Sequence, residues 1–177
     1  QRQMCIRDSY TPIANPRYMM PEWSFGIRPE TVQKNVNAAR DAGAQIVVLL
    51  SHNGFDVDQK LATIVTGIDV ILTGHTHDAV PQALKINKTL LLSSGSHGKY
   101  LGRIDLDVKG GEVVDYSSTL IPVFSDVITP DPEMSAHIGA LRAPYEAECN
   151  RVIGSTSGLL YRRGNFNGTW DDLICQG

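Results

Sequence analysis

Three histidines follow two short apolar runs of the sequence. His52 stands two residues after QIVVLL, and His75 and His77 stand in the string VILTGHTHD. Neutral imidazole binds borderline divalent ions, and a tight turn after a strand can aim both rings of a His-x-His pair at one point. Three imidazoles around one zinc ion with an open position would indicate a hydrolase or a lyase. The alternative is that these are loop histidines bonded to the backbone.

Two predicted strands and two predicted helices would position these histidines. Residues 45–50 and 69–72 are short, β-branched runs typical of strands that are buried on both faces. A helix over about 56–66 joins them, and an earlier helix is expected from Pro29 to a stop at Gly43. Two strands joined by one helix are parallel neighbours, and ligands bind at their carboxyl edge. The three histidines are therefore predicted to converge there, in an α/β fold.

After residue 80 the pattern changes from alternating strands and helices to an antiparallel meander. The predicted strands are 82–86, 90–93, 100–108 and 112–123. Tight turns are expected at Asn87-Lys88 and Gly110-Gly111. Asp131 is predicted to cap a helix that runs to about Cys149.

Composition excludes several classes of function. The 177 residues carry a net charge of −3, and no block of lysine and arginine suggests nucleic acid or a membrane surface. No apolar run approaches the roughly 20 residues that a membrane span needs. The three cysteines form no Cys-x-x-Cys pair, which argues against a disulfide framework and a thiolate zinc site.

Other polar residues have competing interpretations. Asp56 and Asp78 could orient a ligand ring or could simply be solvated. His97, in SSGSHGKYLG, lies in a loop that could cradle an anion, although a turn between strands is favoured. Arg162 and Arg163 could bind an oxyanion through their guanidinium groups or could be solvated at a loop entrance.

Several strings resemble one enzyme superfamily. VVLLSHNGFDVD and GIDVILTGHTHD resemble the second half of the calcineurin-like metallophosphoesterase domain of 5′-nucleotidases, and SGSHGKYLGRIDLDV resembles a later strand of it. Within that superfamily, YTPIANPRYMMPEWSFGIR, IPVFSDVITPDPEM and LLYRRGNFNGTWDDLIC resemble the SoxB family of thiosulfohydrolases. The resemblance implies part of an α/β/β/α sandwich with an antiparallel strand meander, followed by the start of a second α+β domain.

The resemblance also implies a reaction and its participants. His52 and His75 would ligate one metal ion and His77 the other, in a pair of divalent ions that are manganese or alternatively zinc. The substrate would be a cysteine S-thiosulfonate on the SoxY–SoxZ carrier protein, from which water releases sulfate in the periplasm. Arg162 or Arg163 would contact the sulfonate.

The sequence lacks two motifs that supply metal-site and catalytic residues in the superfamily. The N-terminal half of the superfamily domain supplies an Asp-x-His pair, a bridging aspartate and an Asn-His pair. This sequence contains no Asp-x-His and no Gly-Asn-His string, so the bridging carboxylate and the Asn-His pair are expected to be missing. We therefore expect an inactive fragment that binds divalent metal weakly. Its expected parts are a non-native leader (1–9), the metallophosphoesterase part (10–128), a linker helix (129–155) and the start of the C-terminal domain (156–177). The alternatives are a phosphoesterase acting on nucleotides and a non-catalytic metal- or carrier-binding module.

Overall fold

A five-stranded mixed sheet forms the first of two units in the computed structural model, which describes residues 7–8, 16–19, 21–22, 26–162 and 168–176. The first unit extends to Ile128 and the second begins at Thr129. The strands are β1 (Arg7–Asp8), β2 (Val48–His52), β3 (Val70–Thr73), β4 (Leu84–Ile86) and β5 (Thr89–Ser93). Their order across the sheet is β1-β2-β3-β5-β4, and only β4 is antiparallel to its neighbour. The predicted mixed α/β class is confirmed.

Two helices pack against this sheet where the apolar periodicity predicts them. Helix α1 (Pro29–Asp41) has proline in its first turn, where a missing N–H costs nothing, and it buries Val32 and Val36. Helix α2 (Phe55–Ile64) follows β2 and buries Leu61. Both helices present a single apolar stripe, and both connect strands that run parallel.

Strands β2 and β3 are parallel neighbours, as predicted, but β2 begins three residues later than expected. The register pairs Val48 with Val70 and Ser51 with Thr73. Val47 is excluded because its N–H donates to the carboxylate of Asp69 at 2.7 Å instead of to a strand carbonyl. The shift carries the strand to His52, which is its last residue rather than a loop residue.

Strand β5 has a different partner from the one predicted. The meander prediction placed it among antiparallel strands, but β5 lies parallel to β3 and antiparallel only to β4. All five of its residues are buried, because α-helical side chains cover one face of the sheet and a hairpin covers the other. That hairpin is the separate antiparallel pair β6 (Tyr100–Lys109) and β7 (Glu112–Pro122), joined at the predicted Gly110-Gly111 turn.

The core consists of two apolar clusters separated by the sheet. Helix and sheet residues form the larger one: Val32, Val36, Leu49, Leu61, Ala62, Val65, Ile68, Ile71 and Leu91. The smaller one contains Val70, Leu90 and Leu92 of the sheet, packed against Ile104, Leu106 and Tyr116 of the hairpin. Alternate residues of β3 and β5 enter opposite clusters, as the two-residue period of a strand requires.

The second unit contains short helices: α3 (Pro132–Arg142), a 3-10 turn (Ala143–Tyr145), α4 (Glu146–Cys149) and α5 (Thr169–Gln176). The predicted cap of α3 is confirmed, because the Asp131 carboxylate accepts a hydrogen bond from Met134 N at 2.8 Å. None of the helices in the described residues is long and apolar enough to cross a bilayer.

Candidate metal centre

His52 and His75 meet at the carboxyl ends of β2 and β3. Their ring centroids are 4.9 Å apart and the rings are nearly perpendicular, at 89°. The loop after β3 turns back towards β2 because Gly74 N donates to Ser51 O at 2.9 Å, and His75 then takes a left-handed backbone conformation with φ of 79°. The strand topology therefore brings these two imidazoles side by side, as the sequence predicted.

His77 has a different ring neighbour. It also adopts a left-handed conformation, with φ of 59°, and its ring centroid lies 5.6 Å from that of His97. The Nδ1 atom of His97 is hydrogen-bonded to Ser96 Oγ at 2.7 Å. The carboxyl edge of the sheet therefore carries two pairs of imidazole rings, His52 with His75 and His77 with His97.

Sequence reasoning missed His97 because it placed β5 in a meander. Since β5 runs parallel to β3, the loop that follows β5 emerges at the same carboxyl edge as the loop that follows β3. The signal was present in TLLLS, an uninterrupted apolar run typical of a strand buried on both faces. The favoured description of His97 as a simple turn residue is incomplete, because the turn lies beside His77.

Hydrogen bonds hold the loop that carries His75 and His77. Thr76 Oγ1 donates to the Asp78 carboxylate and accepts from Phe55 N at 3.1 Å, which ties the loop to the first turn of α2. The carbonyl of Asp78 accepts from Ser93 Oγ at 2.6 Å, which ties it to β5. Asp78 therefore stabilises the loop through its hydrogen bond with Thr76. Helix α2 and strand β5 hold the loop from either side.

A buried carboxylate is hydrogen-bonded to residues that neighbour both histidines. Asp58 of α2 is completely buried and accepts hydrogen bonds from Ser51 Oγ at 2.7 Å, from Thr73 Oγ1 and, more weakly, from Asn53 Nδ2 at 3.4 Å. Burial raises the pKa of the Asp58 carboxyl, and the hydrogen bonds from Thr73, Ser51 and Asn53 partly oppose that rise. The residues that donate to Asp58 flank His52 on one strand and precede His75 on the other.

The donor set fits one part of a divalent-metal site. His52 and His75 place two imidazole rings side by side, and imidazole is a ligand that suits zinc or manganese. Within the described parts of the chain, no group of three or more histidine, cysteine, aspartate or glutamate side chains is arranged to hold a metal ion. The roles of His52 and His75 as ligands of one ion, and of His77 as a ligand of a second, stay predictions.

The two arginines fall in the second unit. Arg162 is exposed there, and Arg163 lies outside the residues that the structure describes. Their contact with a substrate sulfonate stays a prediction.

Comparison with known proteins places this edge in a family context. No protein-family profile matches the chain. The structure of the sulfate thiohydrolase SoxB from Thermus thermophilus superimposes with a TM-score of 0.85 at 32% identity, over 98% of this chain and 32% of that one. The trifunctional nucleotide phosphoesterase YfkN of Bacillus subtilis is 29% identical over 137 residues, which are 74% of this chain and 9% of that protein.

A third similar protein is the 5′-nucleotidase of Diplobatis ommata, 26% identical over 179 aligned residues, which cover 88% of this chain and 30% of that protein. The chain thus spans about a third or less of the length of each of these three proteins. The structural match to SoxB and the two sequence matches point to the same superfamily. This chain belongs to the superfamily of 5′-nucleotidases and metallophosphoesterases.

Proposed function

We propose that this chain provides the histidine-bearing edge of a divalent-metal hydrolase that releases sulfate from a cysteine S-thiosulfonate. The observation that carries the proposal is the His52–His75 pair at 4.9 Å, in a chain whose structure matches SoxB over nearly its whole length. The carrier of that cysteine would be the SoxY–SoxZ protein, and the compartment would be the periplasm. Both extend the proposal by family resemblance.

The residues of the chain have defined roles in this proposal. His52 and His75 would hold one ion through their ring nitrogens, and His77 would contribute to a second. Divalent ions held by these residues would supply polarisation of an anionic sulfonate or phosphate group and activation of water. The bonds of Thr76 to Asp78 and of Phe55 to Thr76 would keep the His-x-His loop in place when substrate binds.

Manganese titration of the 177-residue chain tests the metal site. With assigned imidazole NMR signals, paramagnetic Mn²⁺ is expected to broaden the rings of His52 and His75 at concentrations that leave His137 sharp. His137 is a suitable internal control because it is an exposed histidine on α3. The replacement His75→Asn should abolish the selective broadening of His52, whereas His137→Asn should leave it unchanged.

The titration has two outcomes that would overturn the metal site. Equal broadening of all histidines would mean non-selective surface binding, and no broadening at millimolar Mn²⁺ would mean that the pair is not a ligand set. Addition of EDTA should restore the His52 and His75 signals, because a two-imidazole site with few other ligands binds reversibly.

A second candidate function is hydrolysis of nucleotides, which the similarity to a nucleotide phosphoesterase favours. The same metal edge serves both reactions, so the substrate decides between them. The whole protein should release sulfate from a cysteine S-thiosulfonate peptide and should not release phosphate from a nucleoside 5′-monophosphate. The reverse result would replace the thiosulfohydrolase proposal with the phosphoesterase.

A further inference from the structure

We propose that Asp58 is the positioning residue that sets the spacing of the His52 and His75 rings. This inference rests on the proposed function, because the spacing of the two rings matters for holding one ion between them. The residue belongs to helix α2 and accepts hydrogen bonds from Ser51, Thr73 and Asn53. It acts through the two strand ends from which the rings project.

The carboxylate of Asp58 joins β2 to β3 at one register position. Ser51 and Thr73 are paired in the parallel ladder, and each donates its hydroxyl to Asp58, one to each oxygen. Ser51 is adjacent to His52, and only Gly74 separates Thr73 from His75. A single buried group therefore joins the two strands one residue before His52 and two residues before His75.

Only a carboxylate matches this pair of donors. An ionised carboxylate has two acceptor oxygens, so it can accept from both hydroxyls at once. The amide of asparagine has one acceptor oxygen and an NH₂ donor, so one of the two strands would lose its bond or would have to reverse it. Because Asp58 is fully buried, no water is available to replace the lost partner.

A purely structural role for Asp58 predicts something different. If the carboxylate only anchored α2 to the sheet, its removal would lower the free energy of unfolding and would leave the geometry of the rings unchanged in the folded molecules. A positioning role predicts that the rings separate even when the chain is folded. The measurement must therefore report on the rings themselves.

The chain offers a matched control at the opposite end of the same two strands. Asp69 precedes β3 and accepts from Val47 N, which precedes β2, at 2.7 Å. The replacement Asp69→Asn thus perturbs an aspartate that also links β2 to β3, but at their amino ends. It should destabilise the chain without altering the rings.

The experiment compares wild type, Asp58→Asn and Asp69→Asn as folded 177-residue chains. In the metal-free protein, the nuclear Overhauser effect between the His52 and His75 ring protons should be present in wild type and Asp69→Asn and lost in Asp58→Asn. With Mn²⁺ as the probe, Asp58→Asn should weaken binding at this pair by about tenfold, the lower end of the effect of groups that orient metal ligands. Asp69→Asn should bind Mn²⁺ as wild type does.

Wild-type ring contacts and wild-type Mn²⁺ affinity in Asp58→Asn would overturn the inference. If Asp58→Asn does not fold, the near-isosteric Thr73→Val removes one of the two hydroxyls and decides by the same two measurements. A wild-type chain that binds no Mn²⁺ would refute the proposed function, while the ring contact in the metal-free chain would still decide the role of Asp58.

Discussion

The ion pair between Arg40 and Asp69 links helix α1 to the starts of β2 and β3, and its strength can be predicted from its burial. Arg40 Nη2 donates to Asp69 Oδ2 at 2.6 Å, and the same oxygen accepts from Val47 N. The side chains are 29% and 14% exposed, so water screens the pair only in part. The replacement Asp69→Asn removes the charge and keeps the shape.

The expected cost of Asp69→Asn follows from the two bonds that meet at this oxygen. A hydrogen bond to a charged group contributes about 1.5–3 kcal/mol, and a neutral one roughly half as much. The asparagine oxygen can still accept from both donors, so about half of each contribution is lost. We therefore expect the free energy of unfolding to fall by about 2 kcal/mol.

An exposed pair of the same composition provides the comparison. Arg103 and Asp105 on β6 are 2.8 Å apart with side chains 65% and 55% exposed. Because solvent screens this pair, Asp105→Asn should cost less than about 0.5 kcal/mol. Urea unfolding of both variants, followed by far-UV circular dichroism, measures the two costs. An Asp69→Asn cost no larger than that of Asp105→Asn would refute the argument from burial.

Two further predictions concern the core and the pH dependence of stability. The replacement Leu61→Ala should lower the free energy of unfolding by about 3 kcal/mol because it empties a fully packed position, whereas Leu101→Ala, at an exposed position, should cost less than about 1 kcal/mol; equal costs in urea unfolding would contradict the assigned core. Burial raises the pKa of Asp58 above its ordinary value of 3.8, so the folded chain holds this proton more tightly than the unfolded chain does. The tighter binding of this proton stabilises the fold fully below pH 3.8. That stabilisation is lost as the pH rises through the raised pKa of Asp58. The stability difference between wild type and Asp58→Asn should therefore shrink on going from pH 3.5 to pH 7, and a difference independent of pH would contradict the raised pKa.

The sequence was sufficient for the elements that carry His52 and His75. Apolar runs bounded by helix signals predict β2, β3 and the helix between them, and the rule for parallel crossovers then places the two strand ends together. Local pattern determines both steps, so no knowledge of distant contacts is needed.

The sequence was insufficient where the partner of a strand decides the outcome. The run TLLLS suits an antiparallel or a parallel strand, and its place beside β3 depends on tertiary packing against the helices on one face and the β6–β7 hairpin on the other. His97 therefore lies beside His77 because of tertiary packing that the local sequence does not reveal. Strand pairing, not residue type, decides which imidazoles meet.

Asp58 illustrates a signal that was available but easily missed. In FDVDQKLATIV it looks like Asp56, two residues earlier, yet Asp56 is exposed and Asp58 is buried. Asp58 lies three, four and seven residues before Leu61, Ala62 and Val65, so it falls on the apolar stripe of α2. A charged residue on such a stripe needs buried partners, and the sequence alone does not say which.

The left-handed backbone at His75 and His77 has a consequence for how this edge can change over time. Residues other than glycine lose on the order of 1 kcal/mol in that conformation, so glycine at either position would make the chain more stable. Selection for thermal stability alone would therefore erode the histidines. Stability-guided redesign should exclude both positions, because there the most stable sequence and the imidazole-bearing sequence differ.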